Sequence, residues 1–295
     1  RHLTVPQVRA PSEVQAASLL PSFLYLPGAG ELAEGALALP WDQTPPLAVG
    51  LLARDYGATA PGRLVASAKS WLAHAGVDRT RPILPWGAAL GERMLSPVAA
   101  SAAILNHLRA AWDQRFSEVL DRDGSPCTLA EQQVVITIPA SFDQAARDLT
   151  LQAAKLAGFG EVLLLEEPLA AFYAWLWRHE AVWRSDLQAG ERVLVIDVGG
   201  GTTDFSFMVL DEAGTLKHLA VGEHLLLGGD NMDMALAREL EQGWGEKLGP
   251  IPWATLVQQC RQAKESLLEG QREHVWQTSW GASTRRCWPT ASPSS

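Results

Sequence analysis

The sequence predicts an α/β fold, and three observations carry that expectation. Val134-Val135-Ile136-Thr137-Ile138 is an unbroken apolar, β-branched run, the pattern of a strand buried on both faces. A helical stretch follows over 141–157, then a second buried strand over 162–165 and a second helix over 169–177. This strand–helix–strand–helix order implies parallel pairing within an α/β sheet. Further on, apolar runs at 192–197, 205–210 and 216–221, joined by short turns, predict an antiparallel meander.

Local chemistry predicts the remaining elements. Residues 19–26 read as a strand behind a turn, 27–46 as a loop rich in Gly, Pro and Ala, and 47–50 as a short strand leading into a helix to about Tyr56. Helical composition marks 63–74. A clearer helix spans 101–120, with Ile104, Leu108, Ala111 and Trp112 on one face. Pro139 ends the strand at 134–138. Ser141 with Gln144 three residues on has the form of a capping box, and Gly158 suits the end of that helix. Pro168 fits the first turn of the next one. Residues 178–191 are polar and read as a connector. Beyond the meander, helices are expected at 231–240 and 256–268, the second with Leu256, Cys260, Ala263 and Leu267 on a core-facing stripe. From about residue 271, Trp276, Trp280 and Trp288 stand among Ser, Thr, Arg and Pro with no period. Residues 271–295 are therefore expected to form an irregular tail, of a composition that suggests a non-native reading frame, with a partner-binding tail as the alternative.

Composition excludes several classes. With 295 residues, 47% hydrophobic and 19% charged, the chain has the material for one or two domains with a real core. A net charge of −9 with no basic run argues against a nucleic-acid partner. No apolar stretch approaches the ~18 residues of a membrane span, and the apolar run at 16–26 is broken by Pro21 and lacks the basic start of a signal peptide. Cys127, Cys260 and Cys287 form no CxxC pair. Their sparse, odd number fits a reducing, cytoplasmic setting, with each a small buried hydrophobe.

The segment richest in chemistry is Val195-Ile196-Asp197-Val198-Gly199-Gly200-Gly201-Thr202-Thr203-Asp204. A hydrophobic strand delivers a carboxylate to its end. Three glycines then allow a tight turn and close approach of backbone to a ligand. Successive N–H groups in such a turn form an anion nest suited to phosphate. The Thr hydroxyls add hydrogen bonds, and the two carboxylates can hold a cation or its waters. The plainer alternative is a glycine-rich hairpin between solvated acids. No Gly-Lys-Ser/Thr follows, so this is not a Walker loop. The glycines do not fit GxGxxG, and a strand rather than a helix comes next, which excludes the dinucleotide fingerprint.

Residues 197–204 resemble the second phosphate-binding loop of the actin-like ATPases. Other stretches are similar to the 70-kDa heat-shock chaperone family within that superfamily. They are Val135-Ile136-Thr137-Ile138-Pro139-Ala140-Ser141-Phe142 running into the helix with Arg147, Leu165-Glu166-Glu167-Pro168-Leu169-Ala170-Ala171, and Leu227-Gly228-Gly229-Asp230-Asn231-Met232-Asp233. The helix at 260–267, the region 63–71 and the strand at 20–26 also resemble the family, in order, over roughly residues 19–270.

The resemblance implies the two-lobed, RNase H-like actin-like ATPase fold. Residues 1–190 would form the first lobe, with an inserted subdomain near 40–115, and 191–270 part of the second. It implies a chaperone-like protein that binds ATP or ADP with Mg2+ and hydrolyses ATP to drive a conformational cycle, acting with unfolded clients and co-chaperones. Carried over residue by residue, Asp197 would orient water around Mg2+, and Gly199, Gly200, Gly201, Thr202 and Thr203 would cradle phosphates. Asp204 would assist a monovalent cation such as K+, and Glu167 would help place the water or metal shell. Lys69 would stabilise charge at the γ-phosphate, Gly228 and Gly229 would approach the nucleotide, and Lys264 would touch the adenosine. Taken alone, Lys69 reads equally as a surface lysine, Glu167 as a helix N-terminal acid, and Lys264 with Glu265 as a solvated helix face.

Departures from the family pattern set further expectations. Its first phosphate hairpin has no counterpart before Leu19, and its later adenosine turn has none after Leu268. The domain is thus expected to be incomplete at both ends and weak in hydrolysis, and the start at Arg1 rather than Met points the same way. Arg261 stands where the family usually has Glu, and Glu265 where it has Arg, which weakens the adenine assignment. A sugar or metabolite kinase and an actin-like filament scaffold are the alternatives within the superfamily.

Overall fold

A computed structural model gives the structure of the chain. It describes residues 2–270 except 58, 75, 89, 181, 223, 224, 226 and 246, together with the strands at 274–278 and 285–289. The chain opens with an antiparallel hairpin, β1 (Val5–Ala10) and β2 (Glu13–Ala17), where no strand is expected from the sequence. Its apolar alternation is weak because most of β2 is exposed. Strand β3 (Phe23–Tyr25) lies between β4 (Ala48–Val49) and β5 (Leu64–Ala66) in an antiparallel sheet. Helix α1 (Leu51–Gly57) follows β4 as expected.

The region 63–74 is not one helix. It divides into β5 and the short α2 (Ala68–Ala73), with Ser67 between them in the left-handed region at φ 56°. Leu64 and Val65 are buried where β5 pairs with β3, and this tertiary pairing overrides local helical propensity. Helix α3 (Pro97–Arg115) starts and ends earlier than its periodicity suggests. Ser96 Oγ accepts from Ala99 N at 3.0 Å, and Pro97 occupies the first turn, so the cap fixes the start.

Strands β6 (Val134–Ile138) and β7 (Val162–Glu166) pair in parallel across α4 (Gln144–Leu156), as the element order requires. Two details differ from expectation. Strand β6 is covered on one face only: Val134 and Ile136 pack with Ala154, Ala157 and Phe159, while Val135 and neighbouring Leu163 are exposed. The cap of α4 is Asp143 rather than Ser141, its carboxylate accepting from Ala146 N at 2.7 Å. Arg79 reaches the same carboxylate with two hydrogen bonds of 3.2 Å, and these hold Asp143 below the usual carboxylate range. Ser141 is drawn elsewhere, to Asp204.

Helix α5 (Glu167–Arg178) and the short α6 (Trp183–Asp186) lead into the meander β8 (Arg192–Val198), β9 (Thr203–Leu210) and β10 (Leu216–Val221). Phe172 of α5 packs on Met208, Leu210 and Leu216, so α5 joins the parallel part to the meander. The opposite face of β8, with Leu194, Ile196 and Val198, is exposed. Helices α7 (Gly229–Trp244) and α8 (Pro250–Leu268) pack through Ala237, Leu240, Leu256 and Cys260. Where an irregular tail is expected, β11 (His274–Thr278) and β12 (Arg285–Pro289) form an antiparallel pair; Trp280 and residues 290–295 lie outside the described residues.

One buried group ties the hairpin to α3. His107 Nε2 donates to the Pro6 carbonyl at 2.9 Å, and its ring meets Trp41 edge-on at 5.1 Å. Burial holds the imidazole below the usual histidine range, although the Pro6 bond works the other way. An unfolded histidine titrates near pH ~6.5, so below that value the unfolded chain binds more protons than the folded one. Stability should therefore fall as pH drops through ~6.5 towards the lower folded value. In His107→Gln this component of the slope of melting temperature between about pH 7 and pH 5 should disappear; an unchanged slope would assign it to another group.

Candidate nucleotide site

Four element ends converge on a cavity of about 400 Å3. They are the β8–β9 turn, the start of α2, the β7–α5 junction and the start of α7, closed on one side by α8. The turn has a sequence reason. Val198 pairs with Thr203 and Asp197 with Asp204, so residues 199–202 must reverse the chain within four positions. Gly199 N donates to the Thr202 carbonyl at 2.8 Å to close it. The N–H groups of Gly200, Gly201 and Thr202 find no acceptor among the described residues, and all three residues line the cavity. A Cβ on Gly201 would stand 2.8 Å from Ser70 Oγ, which shows how closely α2 approaches the turn.

The second glycine pair works from behind. Gly229 N donates to the Gly199 carbonyl at 3.1 Å and Asp230 N to the Gly200 carbonyl at 2.7 Å. A Cβ on Gly228 would fall 2.6 Å from the first of these carbonyl oxygens and 2.7 Å from the second. Gly228 is thus required by contact with the first turn. It does not line the cavity, whereas Gly229 does.

Lys69, on α2, and Glu167, the first residue of α5, face each other as an ion pair, and both line the cavity. Asp197 lines it too and has no ion-pair partner among the described residues. Lys264 is present, but its ammonium lies 2.6 Å from Asp233 and donates to the Gly229 carbonyl at 2.9 Å. Thr203 and Asp204 stand outside the lining. Thr203 Oγ1 donates to the Leu227 carbonyl at 2.7 Å, and Asp204, 5% exposed, accepts from Ser141 Oγ at 2.5 Å. The cavity therefore gathers Lys69, Glu167, Asp197, Gly199, Gly200, Gly201, Thr202, Gly229 and Lys264, and leaves Thr203, Asp204 and Gly228 in support.

Sequence reasoning missed Ser67 and Ser70, which flank Lys69, and gave no role to Asp230 and Asp233. The spacing of Asp230 and Asp233 at the head of a helix, opposite Arg261 and Lys264 at the same spacing, is the signal that could have found the last pair. Among the described residues, no group of three or more His, Cys, Asp or Glu side chains is arranged to hold a metal ion.

The parallel strand pair, the glycine hairpin and the cleft between them define the actin-like ATPase fold, and the chain belongs to the Hsp70 family: it matches the family model described as Hsp70 protein over residues 84–275. Among individual proteins it is similar to the chaperone protein HscA homolog of Acidithiobacillus ferrooxidans, 37% identical over 222 residues, covering 70% of this chain and 32% of that protein. The HscA homolog of Pseudomonas putida is 34% identical over 248 residues (79% and 36%), and HscA of Photorhabdus laumondii 30% identical over 253 residues (81% and 38%). The chain spans about a third of the length of these curated relatives.

The contrast between the glycines is testable. Gly228→Ala must push apart two backbone segments and should destabilise the fold by about 1–3 kcal/mol. Gly200→Ala meets nothing nearer than Asp230 Oδ1 at 3.8 Å and should change stability by no more than about 0.5 kcal/mol. Denaturant unfolding of both variants checks the order; equal effects would mean the 228–229 turn does not press on the glycine hairpin.

Proposed function

We propose that this chain binds ATP and ADP with Mg2+ in the cavity, as part of a chaperone whose conformational cycle is driven by ATP hydrolysis. The observation that supports it best is the row of N–H groups at Gly200, Gly201 and Thr202 beside Asp197, none of them with a partner among the described residues. Amides without acceptors attract an anion. A free carboxylate next to them repels one unless a hard cation lies between, and phosphate oxygens with Mg2+ meet both demands. Bound there, Mg2+ would neutralise charge on the phosphate oxygens and hold water. Asp197 and Glu167 would orient that water, Asp197 being the residue best placed for it.

Lys69 is the residue that must change partners. Its bond to Glu167 is more than half exposed on the lysine side, so it can be exchanged for a phosphate at little loss. In this reading Lys69 stabilises charge on the transferred phosphoryl group, and the hairpin amides fix it for in-line attack by water. Asp204, turned to Ser141, acts as a brace rather than as a ligand of K+. Lys264 supports the 229 turn and reaches the nucleoside only at its margin.

The family assignment favours the chaperone reading over the sugar-kinase and filament alternatives. Unfolded clients and co-chaperones are the partners it suggests, and a cytoplasmic location goes with it. No described helix is long and apolar enough to cross a membrane. The test is amide hydrogen exchange. Mg-ADP should slow exchange over 197–204 by at least tenfold, and Gly200→Val, which places a branched side chain in the nest, should abolish the effect while the protein stays folded. Exchange in the folded wild type that ignores nucleotide would rule the site out.

A further inference from the structure

Beside the glycine hairpin, in the wall of the same cavity, lies a cluster of four charges, two of them buried. Asp233 is completely buried, and Arg261 is 8% exposed. Arg261 Nε donates to Asp233 Oδ2 at 2.9 Å, and its Nη2 bonds Asp230 Oδ1. Lys264 Nζ meets the other Asp233 oxygen at 2.6 Å, as an ionic contact rather than an aligned hydrogen bond. Two cations and two carboxylates balance, so the burial is compensated within the cluster. A buried ionic cluster still carries a desolvation cost that an apolar core would avoid, which calls for a reason in geometry.

The geometry supplies one. Asp230 is the residue whose N–H holds the Gly200 carbonyl, and Gly229, whose N–H holds Gly199, gives its own carbonyl to Lys264. Arg261 thus grips the 229–230 segment through the Asp230 carboxylate, and that segment grips the hairpin. The other oxygen of Asp230 accepts from Ser67 Oγ at 2.9 Å, one residue ahead of the helix that carries Lys69. The Arg261 guanidinium also sits 5.2 Å over the ring of Phe23, beside the same helix start.

We infer that Arg261 is a positioning residue for the phosphate turn. It fixes Asp230, and Asp230 sets the hairpin amides and Lys69 in register across the cleft. The inference rests on the reading that the hairpin takes phosphate. It also gives a reason for an oddity of the sequence: the arginine at 261 places Nε and Nη2 on two aspartates.

The experiment compares ligands that share different parts. Affinities of Mg-ADP, Mg-pyrophosphate and adenosine are measured for the wild type, for Arg261→Met, and for the double variant Arg261→Met/Asp230→Asn. The double variant keeps the Asp233–Lys264 pair balanced and keeps the test alive if the single one unfolds. Positioning requires that ADP and pyrophosphate weaken at least tenfold while adenosine changes less than twofold. Exchange of the amides at 199–202 should also quicken in the unliganded variants, with the α7–α8 core unchanged. Arg261→Lys, which keeps the charge without the planar fork, should recover part of the loss. Equal weakening of adenosine and ADP would overturn the inference in favour of direct nucleoside contact. Unaltered ADP affinity in a folded variant would overturn it in favour of a purely structural cluster. A wild type that binds neither ADP nor pyrophosphate would instead remove the phosphate reading, and this inference with it.

Discussion

Two backbone hydrogen bonds, from Gly229 N to Gly199 and from Asp230 N to Gly200, set the conditions that the rest of the site obeys. Both hairpin carbonyls are taken from behind, so the hairpin amides are the groups left to face the cavity. The contact is close enough that Gly228 has no room for a Cβ. Because the donors belong to the first turn of α7, the position of that helix, and of α8 packed on it, decides where the hairpin lies. A long-range packing arrangement is thereby converted into the placement of three N–H groups.

Charge in the cavity follows the same economy of partners. Lys69 is matched to Glu167, and Arg261 and Lys264 are matched to Asp230 and Asp233. Asp197 has no ion-pair partner among the described residues. An isolated carboxylate at the end of a strand, next to unengaged amides, is stable in water but not beside a phosphate, and a divalent cation reconciles the two. The pairs centred on buried Asp233 are held in place, whereas the exposed Lys69–Glu167 pair is weak by position and free to exchange.

The elements before and after residue 191 are linked at separated points. Ser67 bonds Asp230 and Ser141 bonds Asp204 near the cavity, and Glu166, next to cavity-lining Glu167, meets both Arg147 and His218. Helix α5 adds an apolar seam through Phe172. Polar links near the cavity and an apolar seam along α5 hold these two parts together in different ways. Hydrogen bonds exchange with water cheaply, and buried apolar contact does not.

Much of this was legible beforehand. The parallel pair, the meander, α5 with Pro168 in its first turn, and the hairpin with Asp197 all follow from patterns a few residues long: β-branched runs, proline and glycine at fixed offsets, and a carboxylate at a strand end. The sequence by itself determined the glycine turn at 199–201 and the carboxylate ahead of it, because glycine content and strand termination are local properties. It could not show that β5 breaks the 63–74 helix, that β6 has an exposed face, or that Asp143 takes the cap from Ser141. Each of those is decided by a partner far away in the chain. Only the tertiary structure could decide that Arg261 turns towards Asp230 and Asp233, that Gly228 serves the hairpin rather than a ligand, and that Asp204 answers to Ser141. A charged side chain takes whichever opposite charge the packing of helices brings within reach, and that distance is not written in any short stretch of sequence.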